Sequence, residues 1–216
     1  LSQRRFDVCV VDEATQIFQP TVIRPLLSSN KFILVGDPEQ LAPLVKSNDG
    51  RVLGANESLF ERLDSENATF VLGLQYRMNA TITKLANNLT YKGSLKCADE
   101  TIEKAIMEIP NPFQLRVKLL SHKWLSKILS NHLDMACTLV DTGDVYEMAT
   151  KFRESLSEDR PGKSKLYINY CEIGVVLHLV NLLLESGVEG ESIGIIAPYR
   201  DQVRNFFAFK NFTKYS

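Results

Sequence analysis

The stretch Val8-Cys-Val-Val-Asp-Glu-Ala-Thr-Gln16 constrains this chain more than any other. Its apolar, β-branched residues predict that Phe6–Val11 is a fully buried parallel strand. The run ends in two carboxylates, Asp12 and Glu13. A buried acid is costly unless something pairs with it, so the pair marks the strand's carboxyl end. Ligands of open α/β sheets bind at that end. Two acids there can hold Mg²⁺ and orient a water against a phosphate. Alternation along the chain separates the side chains, so one serves the metal and the other the water. An acid pair standing in solvent is an equally good reading of these residues alone.

The pattern recurs downstream. Lys31–Val35 reads as a second buried strand, stopped by Gly36-Asp37-Pro38. Phe70–Leu74, Cys137–Asp141 and Ser192–Ala197 read as further strands. Helices are expected from Pro20 to Leu27 (with Pro25 disturbing it), from Ser58 to Leu63 with Ser58 as cap, and from Thr81 to Leu89. Tyr170–Ser186 predicts a helix closed by Gly187, and another starts near Arg200. Strands alternating with helices argue for an α/β fold with parallel sheets. The expected domain boundary lies near Leu72–Gln75. Apolar residues make up 44% of the 216, enough for a real core. The formal net charge of −1 gives no global attraction for nucleic acid, so any such contact needs a local patch. Cys9, Cys97, Cys137 and Cys171 lie far apart without ligand spacing and read as reduced thiols. The histidines are scattered, which argues against a metal site built on them. No apolar run is long enough to span a bilayer.

Three more stretches carry chemistry. In "GDPEQLAP", Gly36–Pro43, the glycine permits close backbone approach or an unusual φ, and Asp37-Pro38 makes a tight turn. Gln40 can donate and accept, so beside a nucleotide it could sense a γ-phosphate or the attacking water. In "LQYRMN", Leu74–Asn79, Arg77 offers a guanidinium fork for phosphate oxygens and Tyr76 a ring for stacking on a base. In "IGIIAPYRDQ", Ile193–Gln202, Pro198, Tyr199 and Arg200 could meet a single strand through backbone, stacking and charge. Each has a plain alternative: an Asp-Pro turn, a linker arginine, a strand–turn–helix joint.

The order "DEATQ", "GDPEQLAP", "LQYRMN", "APYRDQ" is similar to motifs II, III, IV and the later APY-type motif of superfamily 1 helicases. The branch is the one that includes the nonsense-mediated-decay RNA helicase. "FDVCVVDEATQ", "VLGANESLFERL", "LQYRMNATI" and "LTYKGSL" resemble more narrowly the eukaryotic DNA replication helicase/nucleases, which process Okazaki flaps and resect DNA ends. The resemblance is dense over residues 1–98, weak over 99–165, and returns over 166–203, where "NYCE" at Asn169–Glu172 falls on an NxxE element. It implies parts of two RecA-like P-loop NTPase domains with parallel sheets, both incomplete. Residues 1–73 would form the C-terminal part of the first. Residues 74–216 would form the second, with an insert at about 99–165. It also implies that Asp12 coordinates Mg²⁺, Glu13 activates water, Gln40 senses the γ-phosphate, and Gly36 and Asp37 line the nucleotide. Arg77 would act as an arginine finger, Tyr76 would pack near the adenine, and Pro198 and Tyr199 would touch the strand's backbone, beside the Arg200 already noted. ATP, Mg²⁺ and single-stranded or flap DNA follow as ligands. Placement in the nucleus and mitochondrion follows too, with a nuclease and an iron–sulfur cluster outside this chain.

No G-x-x-x-x-G-K-[ST] loop occurs in the sequence. The one Gly-Lys pair, in Pro161-Gly162-Lys163-Ser164, lacks the first glycine and a preceding strand. The reading is therefore of a fragment that alone hydrolyses no ATP and exposes apolar sheet faces, with poor solubility. A related RNA helicase and a non-catalytic remnant are the alternatives.

Overall fold

A computed structural model of the chain describes residues 4–120, 123–142 and 168–212. Residues 161–164, the Gly-Lys stretch, lie outside the described residues. The chain forms two compact units. The first holds residues up to Gln75 together with Ala86–Lys96, and the second holds Tyr76–Leu85 and residues from Cys97 on.

In the first unit β1 (Phe6–Val11) and β2 (Ser29–Leu34) pair in parallel, with Val8 opposite Lys31 and Val11 opposite Leu34. The crossover is α1 (Gln19–Leu26), which starts with Pro20 in its first turn, where a missing N–H costs nothing. Pro25 sits inside α1 near its end, and Val22 faces inward. Two short helices follow, α2 (Asn48–Val52) and α3 (Leu59–Leu63). Ser58 caps α3 as expected. Its hydroxyl accepts the Glu61 N–H at 3.1 Å, and the Glu61 carboxylate accepts the Ser58 N–H at 2.9 Å. This reciprocal box satisfies two backbone donors at the helix start. Ser58 is fully buried, so Ser58→Ala should lower unfolding stability by about 1–2 kcal/mol. Urea denaturation of the variant measures it, and a change below the roughly 0.5 kcal/mol typical of surface sites would contradict the capping role.

Several strand expectations need correction. β1 and β2 are parallel but not buried: Val10 is 63% exposed, and Phe6, Val8, Phe32 and Ile33 are exposed too. Parallel strands are buried only where helices cover both faces and further strands flank them. Among the described residues β1 has β2 as its one strand partner. Phe70–Leu74 is not a strand; Phe70, Val71 and Leu72 are unpaired and exposed, and only β3 (Leu74–Gln75) pairs. Cys137–Asp141 and Ser192–Ala197 likewise form no strand. Ile193 keeps extended dihedrals, φ −112° and ψ 115°, but finds no ladder. β-propensity describes a residue's fit to a pleated surface, and without a neighbouring strand that preference has nothing to act on.

The second unit is helical among its described residues. It contains α4 (Ala80–Ala86) up to Leu85, α5 (Glu100–Glu103), α6 (Pro112–Leu119), α7 (Lys123–Ile128), α8 (Tyr170–Glu185) and α9 (Arg200–Phe212). Its core joins Leu115 and Leu119 of α6, Leu125 of α7 with the following Leu129, and Leu182 of α8. α8 ends as the sequence predicts. Ser186 caps it and Gly187 takes φ +87°, a conformation glycine adopts without Cβ strain. A Cβ there would also lie 2.9 Å from Asn111 Nδ2. Among the described residues no helix is long and apolar enough to cross a membrane.

Candidate functional site

The acid pair sits where the two parallel strands end. Val35 N–H donates to the Val11 carbonyl and Ala14 N–H to the Val35 carbonyl, both at 2.8 Å. These bonds carry the strand pairing past Leu34 and bring the segments after β1 and β2 side by side. Asp12 and Glu13 are exposed at this edge. The Glu13 N–H donates to Asp12 Oδ1 at 3.0 Å, and Gln16 Nε2 donates to Glu13 Oε2 at 2.8 Å. Glu13 takes φ 52° and ψ 38°, the left-handed region. For a residue with a Cβ this costs on the order of 1 kcal/mol, and such strain concentrates at functional sites.

Gly36 explains how the segments come so close. A Cβ on it would lie 3.0 Å from Thr15 Cγ2 and 3.1 Å from the Thr15 backbone nitrogen. Its φ is not among the positive ones, so its use is the missing side chain rather than an unusual dihedral. Thr15 is buried against it, with a hydroxyl that has no hydrogen-bond partner.

Asp37 organises the next turn. Its Oδ1 accepts the Glu39 N–H at 3.0 Å. Its Oδ2 accepts Gln40 Nε2 at 2.8 Å and the Tyr91 hydroxyl at 2.6 Å. Burial pushes the Asp37 carboxyl up, but the bonds from Tyr91, Gln40 and the Glu39 N–H outweigh it and leave the group below its ordinary value. The same bond to Asp37 raises the Tyr91 phenol, with smaller upward contributions from burial and from the charges of Asp37 and Glu39, against a lowering by Gln40. A depressed carboxyl stabilises the fold above its unfolded value and loses that contribution as pH falls through the folded one. A raised phenol contributes below its unfolded value and loses it as pH rises through the folded one. The melting-temperature deficit of Tyr91→Phe should therefore be flat across neutral pH and shrink at both ends. It should shrink below the ordinary carboxylate range and above about pH 10. Melting curves of both proteins across pH measure it, and a deficit unchanged at either end would contradict the pair.

Tyr91 stands in "LTYKGSL", where the sequence alone assigns it no role. A π-helical turn, Asn87–Tyr91, delivers it. Lys92 (φ 52°) and Gly93 (φ 89°) then reverse the chain. Asn87 closes that loop by donating to the Leu95 carbonyl at 2.9 Å and accepting its N–H at 3.1 Å.

The remaining expected residues lie in the second unit. Tyr76 and Arg77 are exposed immediately before α4. The last residue of "LQYRMN", Asn79, is buried and accepts the Ile82 N–H at 3.1 Å while donating to the Ala105 carbonyl at 2.9 Å. It thus caps α4 and fixes the start of the helix behind Arg77. Pro198, Tyr199 and Arg200 are exposed where the chain enters α9. Gln202, two residues on, is buried and clamps the start of α8. It accepts the Asn169 N–H at 2.8 Å and donates to the Asn169 carbonyl at 3.2 Å and Glu172 Oε2 at 3.3 Å. Asn169 caps α8 by accepting the Glu172 N–H at 3.2 Å, as the NxxE pattern suggests. The amide in "APYRDQ" therefore anchors the loop that displays Tyr199 and Arg200. Among the described residues no group of three or more His, Cys, Asp or Glu gathers as a metal site.

Acids after two adjacent parallel strands, with a glycine-packed second loop beside them, put the candidate site of this α/β protein at the carboxyl edge of its strands, where ligands of such sheets bind. Residues 55–210 match the AAA-domain family, and residues 1–48 match a second family also described as an AAA domain; the chain belongs to this AAA-domain group. It is 38% identical over 215 residues to the Xenopus laevis DNA replication ATP-dependent helicase/nuclease DNA2, which covers 95% of this chain and 19% of that protein. It is 34% identical to the human protein of that name, over 94% of the chain and 19% of the relative. The Saccharomyces cerevisiae protein is also 34% identical, over 94% of the chain and 13% of its own length. The chain thus spans less than a fifth of these relatives.

Proposed function

We propose that this chain is the central helicase segment of an ATP-dependent, 5′→3′ single-stranded DNA helicase/nuclease that acts in flap processing and end resection, in the nucleus and mitochondrion. The observation that carries the reading is the packing of Gly36 against Ala14-Thr15, which sets Asp12, Glu13 and the Asp37–Gln40 turn side by side. The relatives' printed name supports the substrate class.

In this reading Asp12 is a ligand for Mg²⁺. An exposed carboxylate held by the Glu13 N–H fits an ion that takes one or two carboxylates and completes its shell with phosphate oxygens and water. When bound, the ion neutralises charge that develops on the transferred phosphoryl group. Glu13, fixed by its left-handed backbone and by Gln16, takes the proton of the attacking water. Gln40 reads the γ-phosphate or that water. Arg77 supplies a guanidinium to the phosphates, and Tyr76 a ring to the base. Pro198, Tyr199 and Arg200 meet the DNA strand by stacking and charge, which is indifferent to base sequence. Residues 1–73 and 74–216 then belong to two successive RecA-like domains.

The test is nucleic-acid-stimulated ATP hydrolysis by a translated product that carries this sequence in frame with a P-loop. Single-stranded DNA should stimulate it, and a 5′ flap should be displaced. Stimulation by RNA and not by DNA would move the chain to the RNA-helicase branch and overturn the proposal.

A further inference from the structure

Between α6 and α7 of the second unit lies an open groove of about 590 Å³, within the roughly 300–1,000 Å³ of ordinary ligand clefts. Its floor is Leu115, Leu119 and Leu129, all buried members of the unit's core, so close packing fixes it. Leu120 also lines the groove and is 81% exposed. The polar lining includes Arg116 from α6 and, after α7, Ser130, Asn131 and His132. No carboxylate lines the groove, and none among the described residues forms an ion pair with Arg116. The bias continues along the chain: between Glu108 and Asp134 the sequence carries Arg116, Lys118, Lys123 and Lys127 and no acid. Lys118 is paired with Glu185 of α8, while Arg116 and Lys127 are exposed. In a chain of net charge −1 this is the kind of local positive surface that nucleic-acid contact requires.

We infer that the α6–α7 groove is a second contact for single-stranded nucleic acid, apart from Pro198, Tyr199 and Arg200, in which Arg116 holds a backbone phosphate and a base lies over the leucine floor. The inference deepens the proposed function and rests on it for the choice of a nucleic acid over another anionic ligand with an apolar body. The chemistry of the groove fits that choice. A guanidinium fork matches phosphate oxygens. The Ser130 hydroxyl accepts the His132 N–H at 3.2 Å and keeps its own proton to donate. An unpaired strand can turn a base face towards the apolar floor, whereas a duplex keeps its base faces stacked inside. No Phe, Tyr or Trp lines the groove, so the phosphate carries most of the binding and base identity little. The groove is also tied to the helix that follows Arg77. One residue past His132, the Leu133 carbonyl accepts the Thr81 hydroxyl at 2.8 Å, in the first turn of α4.

Fluorescence anisotropy of a labelled oligo-dT with the 216-residue chain tests this without ATP. Arg116→Gln should weaken binding roughly three- to fivefold. It should also lower the slope of log affinity against log salt by about 0.7, the share of one single-strand phosphate. Leu120→Asp puts a carboxylate at the groove and should weaken binding at least as much. Both side chains are exposed, so the fold should survive, which circular dichroism checks. Lys31→Gln removes the same charge from an exposed position on β2 and should leave the slope alone. A photoreactive thiothymidine strand should cross-link within residues 112–132. Equal effects of Arg116→Gln and Lys31→Gln would mean diffuse charge and would overturn the groove. So would groove variants that bind unchanged, cross-links confined to the loop of Tyr199 and Arg200, or a chain that binds no oligonucleotide but retains a fatty carboxylate. A P-loop-bearing product without DNA-stimulated turnover would sink the helicase reading alone, and the binding and cross-linking results would still decide the groove.

Discussion

The 216-residue chain, purified by itself, should hydrolyse no ATP, with or without DNA. Backbone N–H groups of a glycine-rich loop and its lysine supply most of the contacts to the β- and γ-phosphates, and no G-x-x-x-x-G-K-[ST] stretch occurs in its sequence. In the roles proposed for them, Asp12, Glu13 and Gln40 act only on a phosphate that something else holds. In a longer product with a P-loop in frame, turnover should appear, and Glu13→Gln should then cut it by roughly a hundredfold to ten-thousandfold. Glutamine keeps the size of the side chain, and its carbonyl can still accept from Gln16, so the left-handed turn survives. What disappears is the carboxylate that, in the proposed mechanism, takes the water's proton. Phosphate release at saturating ATP measures the loss, and ATP affinity should change little. Turnover by the chain alone would show that another group binds the phosphates. A loss below tenfold for Glu13→Gln would remove Glu13 from the base role.

Local signals in the sequence proved readable and non-local ones did not. Ser58 and Glu61 stand three residues apart, and the capping box they predict forms. Asn169, Tyr170–Glu185 and Gly187 likewise carry their own start, periodicity and stop within one helix. Asp12 and Gly36 each follow an apolar run, and the two runs do lie side by side. The strands at Phe70–Leu74 and Ser192–Ala197 failed because a strand needs a partner, and composition says nothing about whether one is present. Tyr91 was invisible for a related reason. Its partner Asp37 lies 54 positions away, and the π turn that delivers it has no composition of its own. Gln202 reaches 33 positions back to Asn169 and was equally silent. In each case the missing information was a distance between residues remote along the chain. A family resemblance names the motifs that matter without stating which side chains hold them in place.

Leu125→Ala should cost about 2–5 kcal/mol of stability, while Val10→Ala should cost about 0.5 kcal/mol or less. The two side chains differ by one methylene, and hydrophobicity alone would rank them together. Their surroundings separate them. Leu125 is 1% exposed in the cluster of Leu115, Leu119, Leu129 and Leu182, with Ile109, Ile128, Leu179 and Leu183 packed around it. Removing it leaves a cavity that α6, α7 and α8 cannot close without moving together, so the transfer loss and the cavity loss add. Val10 is 63% exposed on β1 despite standing in the most strand-like run of the sequence. Truncating it returns little surface to water, because most of that surface is already there. The valines before Asp12 therefore place the acids by strand pairing more than they hold the fold by burial, and the core lies in the helices of the second unit. Chemical denaturation of both variants, followed by circular dichroism, decides the matter. Equal losses at the two positions would mean that β1 is covered in solution, and the exposed face would then have to be packed against something.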